Sequence, residues 1–228
     1  MNVSLAATSS NSAQQLLVKE RPILFSGPMV RAILEGRKTQ TRRVIKDPIP
    51  EWVTEFGHTF FCLPGEISGR GLHPEHGPAE ILFRCRYGKK GERLWVRESW
   101  HRVPNHPDMR EGDPRVIVGY AAGGERMVRC STAAPQVSRH LRPSIHMPRW
   151  ASRINLEITG FRIERLQQIT EADAAREGFI ESEDHTPRGA FRQLWDSING
   201  GNLRHGGSPW AWTQNPWVWV LEFRRLDG

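Results

Sequence analysis

A helix that stops at a glycine and turns at once into a basic, β-branched strand constrains this chain more than any other stretch. The run Pro28-Met29-Val30-Arg31-Ala32-Ile33-Leu34-Glu35 reads as a short helix. Proline suits a first helical position, where its missing N–H is no loss, and Gly36 suits the residue just past the end. Met29, Ala32, Ile33 and Leu34 then form the buried side. Behind the glycine, Arg37-Lys38-Thr39-Gln40-Thr41-Arg42-Arg43-Val44 packs one lysine, two threonines and three arginines into eight positions. Its β-branched Thr39, Thr41 and Val44 favour an extended chain. Side chains two apart on a strand share a face, so Thr39, Thr41 and Arg43 should point one way and Gln40 and Arg42 the other. Lys38 is out of phase with Thr41 and converges on it only from the turn. On spacing alone, the simpler reading is a solvated basic strand.

The rest of the chain reads as short strands around two further helices. Residues 1–20 are rich in Ser, Ala, Asn and Gln and read as a mobile leader. Arg21–Phe25 is a first strand. Between Lys46 and Lys90, prolines and a glycine-rich stretch from Gly65 to Gly77 leave two strand candidates, Thr59–Leu63 and Ala79–Tyr87, with a long loop between them. A glycine turn at Gly91 opens a strand through Leu94 and Val96. Trp95 there suits the core, whereas Trp100 suits either the core or a face on which a base stacks. Residues 101–115 read as loop, and Val116–Ala121 with Arg126–Cys130 as a hairpin. A long strand spans Ile154 to Leu166, with a bulge expected at Gly160. Gln167–Phe179 reads as a helix capped by Thr170 with Asp173 reaching back, and ended by Gly178. Thr186–Ile198 carries an apolar stripe of Phe191, Leu194, Trp195 and Ile198. Asn215–Arg225 gives the closing strand.

Three of these segments resemble one family. Gly36-Arg37-Lys38-Thr39-Gln40-Thr41 resembles the signature of ASCH domains, a PUA-like β-barrel superfamily, and specifically its small bacterial members that hydrolyse the acetyl amide of N(4)-acetylcytidine. Leu166–Gly178 and Trp217–Phe223 resemble two further blocks of that family. Gly91–Glu98 is similar to the PUA-like glycine–aspartate turn and strand, with Glu92 in the aspartate's place. The resemblance implies an α+β chain built on a PUA-like β-barrel over 21–228, with flanking helices and long insertions at about 46–90 and 101–150. It also implies an amidohydrolase acting on an N-acylated cytosine-type nucleoside or related modified base. Lys38 would be the base, Thr41 the nucleophile and Glu177 the acid, with Arg43 holding the acyl oxyanion or a phosphate. Without the resemblance, Glu177 reads as a surface glutamate paired with Arg176 or solvent. Its place in a last helical turn, against the negative end of the dipole, and burial in a pocket both favour the proton-donating acid. A nucleic-acid-binding module without hydrolysis and an ASCH-type ribonuclease are the alternatives.

The chain carries 32 Lys and Arg against 25 Asp and Glu, for a net charge of +7, which favours anionic partners. Four arginines, two histidines and a tryptophan fall between Arg139 and Arg153. Such a segment is either a solvated loop or a grip on single-stranded nucleic acid, RNA before DNA, with basic side chains on phosphates and a ring on a base. Ser144–Arg153 resembles a block of uncharacterised bacteriophage and prophage proteins of the same class. The candidate substrate-binding residues are therefore Arg43, Trp100, Arg142, His146, Arg149, Trp150 and Arg153. His73 and His76 with Cys62 fit no standard zinc spacing, so no metal is expected and no cofactor enters the reading. Three scattered cysteines, no secretion signal and no run of about 18 apolar residues point to a cytoplasmic chain without a membrane span, in the bacterial host if phage-encoded. Nothing in the sequence fixes an oligomeric state.

Overall fold

The computed structural model describes residues 18–47, 49, 60–63, 66–73, 77–103, 107, 115–129, 140–201 and 207–226. In chain order the elements are β1 (Glu20–Leu24), α1 (Gly27–Leu34), β2 (Gln40–Val44), β3 (Phe60–Leu63), β4 (Glu66–His73), β5 (Gly77–Arg84) and β6 (Arg93–Arg97). They continue with β7 (Trp100–Val103), β8 (Arg115–Tyr120), β9 (Glu125–Arg129), β10 (Asn155–Arg165), α2 (Glu171–Arg176), α3 (Pro187–Asn199) and β11 (Trp217–Leu226). The fold is mixed α+β. Strands assemble into one five-stranded sheet, ordered β1-β6-β10-β11-β2, and two three-stranded meanders, β3-β4-β5 and β7-β8-β9. Among the described residues only the β1–β6 pair is parallel.

β10 shows how the sequence dictates packing. Leu156 and Ile158 occupy even positions, Phe161 and Ile163 odd ones, yet all four lie in one core cluster. A strand that changed parity without interruption would turn its later side chains to the opposite face. The register against β11 slips between Ile158 and Gly160, and this bulge keeps both pairs inward. Gly160 also admits Glu222, whose Oε2 lies 2.9 Å from the position of an added Cβ. The expected bulge is present.

β11 divides its side chains between two cores. Trp219, Leu221 and Phe223 join the cluster beneath α1, while Val218 and Val220 join Phe191, Trp195 and Trp212 beneath α3. Each large apolar side chain buried here contributes roughly 1.5–3 kcal/mol. A third cluster, Trp100 with Val116, Val118, Tyr120, Met147 and Ala151, sits on the β7-β8-β9 meander.

Several expectations are revised. The five-stranded sheet stays open, with β1 and β2 at its edges, so the strands do not close into the barrel implied by the resemblance. The glycine-rich stretch forms β4 between the two expected strands and pairs with both; Gly69 faces Phe60 and Ile81 in the ladder. Backbone hydrogen bonds from two neighbours hold a strand that propensity alone disfavours. The expected loop at 101–115 begins as β7, because Trp100 to Val103 pairs with β8. The expected helix over 167–179 is α-helical only from Glu171 to Arg176, preceded by a 3-10 turn at Leu166–Gln168. Of the leader, residues 1–17 lie outside the described residues, as do residues 74–76 of the histidine pair, and Glu20 already belongs to β1. Among the described residues no helix is long and apolar enough to cross a membrane, and no group of three His, Cys, Asp or Glu is placed to hold a metal.

Candidate active site

The glycine stop of α1 builds the site. Gly36 adopts a φ of 76°, and the N–H groups of Arg37 and Lys38 both donate to Ala32 O, at 2.9 and 3.0 Å. This folds Lys38 back beneath the helix before β2 begins. Thr39 N then donates to Arg176 O at 2.8 Å, and Phe223 N donates to Thr39 O at 2.9 Å. Lys38 therefore meets Glu177, the residue that caps α2.

Lys38 Nζ donates to Glu177 Oε2 at 2.7 Å, to Glu177 O at 2.8 Å and to Gln40 O at 2.8 Å. Three acceptors match the three donors of an ammonium. No donor is left for Thr41, contrary to the expected Lys38–Thr41 approach. On the other carboxylate oxygen, Arg42 Nη1 donates to Glu177 Oε1 at 3.3 Å. Arg42 is itself held by Glu164 (Nε to Oε1 at 3.0 Å) and by Asp173 at 3.4 Å. The Lys38 and Arg42 side chains are 0% exposed and that of Glu177 2%. Burial pushes the Lys38 amine below its ordinary value; Glu177 opposes this, and Arg43 and Arg42 add to it. Burial raises the Asp173 carboxyl, but the Arg42 charge and the Thr170 cap outweigh it, leaving a net depression.

Gly178 makes the approach of α2 possible. Its φ is +98°, and an added Cβ there would lie 2.8 Å from Ala32 Cβ and 3.2 Å from Lys38 Cβ. Only glycine takes this backbone without strain.

Thr41, Arg42, Arg43 and Glu177 line one side of a cavity of about 80 Å3, and Met29, Phe191, Leu194 and Trp195 form its apolar wall. A water occupies about 30 Å3 of liquid, so this space suits two or three waters or a short acyl group. Lys38 does not line it and stands behind Glu177. Arg43 stacks over Phe25 at 5.2 Å and donates from Nη2 to Leu24 O at 2.5 Å, while its Nε is buried without a partner. Burial lowers its guanidinium from the ordinary value.

The structure thus brings Thr41, Arg43 and Glu177 together, with Lys38 one residue behind. It does not bring the basic segment to them. Trp100 is 2% exposed, packed edge-on against Trp150 at 5.7 Å and covered by Arg142 at 5.3 Å. Arg149 is held by Glu20 at 2.8 Å and Asn155 at 2.9 Å. Arg153 makes a two-pronged bond to Glu98, at 2.9 and 3.0 Å, and lies over Tyr120 at 4.0 Å. His146 is exposed. None of these six lines the Thr41–Glu177 cavity.

No protein-family model, curated protein or solved structure matches this chain. The chemistry of the site rests on its own geometry. Sequence reasoning missed Arg42, which joins the acid of α2 to β2 and β10, and the wall of α3. Arg42 was visible as one of two arginines in the strand, but its three carboxylate partners lie 122 to 135 residues away.

Proposed function

We propose that this chain is an amidohydrolase that removes the acyl group from an N-acylated cytosine-type base, and that its open five-stranded sheet is a counterpart of the ASCH barrel. The observation that carries the reading is the shared cavity. Thr41 and Glu177 face the same small space, and the buried Lys38 ammonium lies 2.7 Å behind the carboxylate.

Lys38 Nζ donates to Glu177 Oε2 and to two backbone carbonyls, and burial lowers its amine from the ordinary value, so the Lys38–Glu177 pair is poised to take up and return a proton in place. Thr41 Oγ1 attacks the acyl carbon while its proton passes to the pair. The C–N bond breaks as the pair returns a proton to the exocyclic nitrogen, leaving an acyl ester on Thr41 and a free amine. Water then cleaves the ester by the same transfers in reverse order, giving the carboxylic acid and the hydroxyl. Arg43 lines the same cavity and is the cation placed to hold the oxyanion. The cavity admits the acyl group and leaves the base outside it.

The test is chromatography of N(4)-acetylcytidine incubated with purified protein. The parent should release cytidine. Thr41→Ser should retain turnover and Thr41→Ala should abolish it, with ligand affinity changed within about threefold, because the hydroxyl acts chiefly in the transition state. Undiminished hydrolysis by Thr41→Ala rules out the nucleophile. No hydrolysis by the parent of any acylated cytosine leaves a binding module or a ribonuclease.

A further inference from the structure

Beside the acyl cavity lies a second pocket of about 360 Å3. The two share Arg43, Val44, Ile198 and Asn199, so they adjoin along the end of β2. Its charged lining residues are Arg43, Lys46 and Arg86, with no carboxylate among them, and the aromatic residues Tyr87 and Trp210 also line it. Lys46 and Arg86 are exposed, and neither has a carboxylate partner among the described residues. Arg86 lies over the Tyr87 ring at 5.8 Å. Trp210 is fixed by Trp195 Nε1, which donates to its carbonyl at 2.8 Å. Arg149 and Arg153, by contrast, are each bound by a carboxylate. Three cations left together beside two rings, in a pocket of ligand size, form an anion-binding wall with a stacking surface.

We propose that this pocket binds the phosphate and base of a pyrimidine nucleoside monophosphate, so that the substrate of the neighbouring cavity is an acylated nucleotide rather than a free nucleoside. This rests on the deacylation reading for the identity of the base but not for the phosphate. Lys46 and Arg86 hold the phosphate by charge-assisted bonds, a ring of Tyr87 or Trp210 carries the base, and Arg43 stands at the junction where the acyl group enters.

Calorimetric titration of the full chain with cytidine 5′-monophosphate, cytidine and inorganic phosphate tests it without requiring turnover. The monophosphate should bind at least about tenfold tighter than cytidine, the size of one or two charge-assisted bonds. The joint substitution Lys46→Ala, Arg86→Ala should cut that advantage below about threefold, and added salt should erode it. Equal affinity for nucleoside and nucleotide, no binding of either, or an advantage that survives the double substitution overturns the proposal. Inorganic phosphate bound as tightly as the nucleotide reduces the pocket to a free-anion site and overturns it as well. Deacylation of nucleoside and nucleotide at equal kcat/KM would sink the phosphate pocket and spare the chemistry. Tight nucleotide binding without deacylation would do the reverse.

Discussion

Glu177→Gln removes almost no volume and takes away the charge between two buried cations. Arg42 keeps Glu164 and Asp173, whereas Lys38 loses its carboxylate partner. One ammonium is then left uncompensated in a site where its side chain is 0% exposed. Breaking a buried pair in this way costs about 3–5 kcal/mol. An independent ceiling comes from the amine itself, which escapes the penalty by releasing its proton. From an ordinary value of 10.5, that release at neutral pH costs about 5 kcal/mol at 1.36 kcal/mol per unit. The two figures agree, so a loss of about 3–5 kcal/mol is expected, a large share of the roughly 5–15 kcal/mol that stabilises a domain. Urea denaturation should show a lowered midpoint with an unchanged slope. The joint substitution Lys38→Met, Glu177→Gln should be milder than Glu177→Gln alone, because it leaves no buried charge without a partner. The pH dependence has a defined sign. Below Lys38's depressed folded value both states hold the proton; between that value and 10.5 the unfolded chain binds more, so stability climbs with pH. A loss under about 1 kcal/mol for Glu177→Gln, or a double variant worse than the single, would refute the buried pair.

Two other substitutions test the frame around the pair. Gly178→Ala should lower the free energy of unfolding by at least about 1–2 kcal/mol, from the positive φ alone, and an unchanged urea midpoint would mean that α2 does not approach Lys38 as described. Asp173→Asn should destabilise at neutral pH by an amount that shrinks in acid. The depressed carboxyl stabilises the fold above its ordinary 3.8, and that contribution is lost as pH falls through the lower folded value. A gap between parent and variant that stays constant down to about pH 2 would contradict the Arg42–Asp173 contact.

What the sequence made legible was local. Pro28 and Gly36 bracket α1, Thr170 caps α2 with Asp173 returning the bond, and Gly160 marks the bulge, because each acts within a few residues of itself. The position of Lys38 in the turn was likewise readable from the parity of the strand. What stayed hidden was which distant carboxylate answers which cation. Arg149 and Arg153 read locally as phosphate ligands, and the carboxylates that hold them, Glu20 and Glu98, lie 129 and 55 residues away. Trp100 carried no local sign that Arg142 and Trp150 would cover it. The identity of the partner of Glu177 needed the three-dimensional path that brings residue 38 to residue 177. Sheet closure was equally beyond the pattern, since periodicity fixes faces and says nothing of which strands end at an edge.

The position of β2 in the sheet has a consequence for the order in which the protein is made. Among the described residues its only strand partner in that sheet is β11. A ribosome that has just finished Val44 must add every residue up to Trp217 before that partner exists, which at about 5–20 residues per second takes roughly ten to thirty seconds. Throughout that interval Lys38 and Thr41 belong to a nascent segment with no ladder to join, and its dense positive charge discourages it from pairing with another chain meanwhile. The earliest-made residues of the candidate site are thus the last to be assembled. A chain interrupted before β11 would have its helices and meanders encoded in full and would still possess no site.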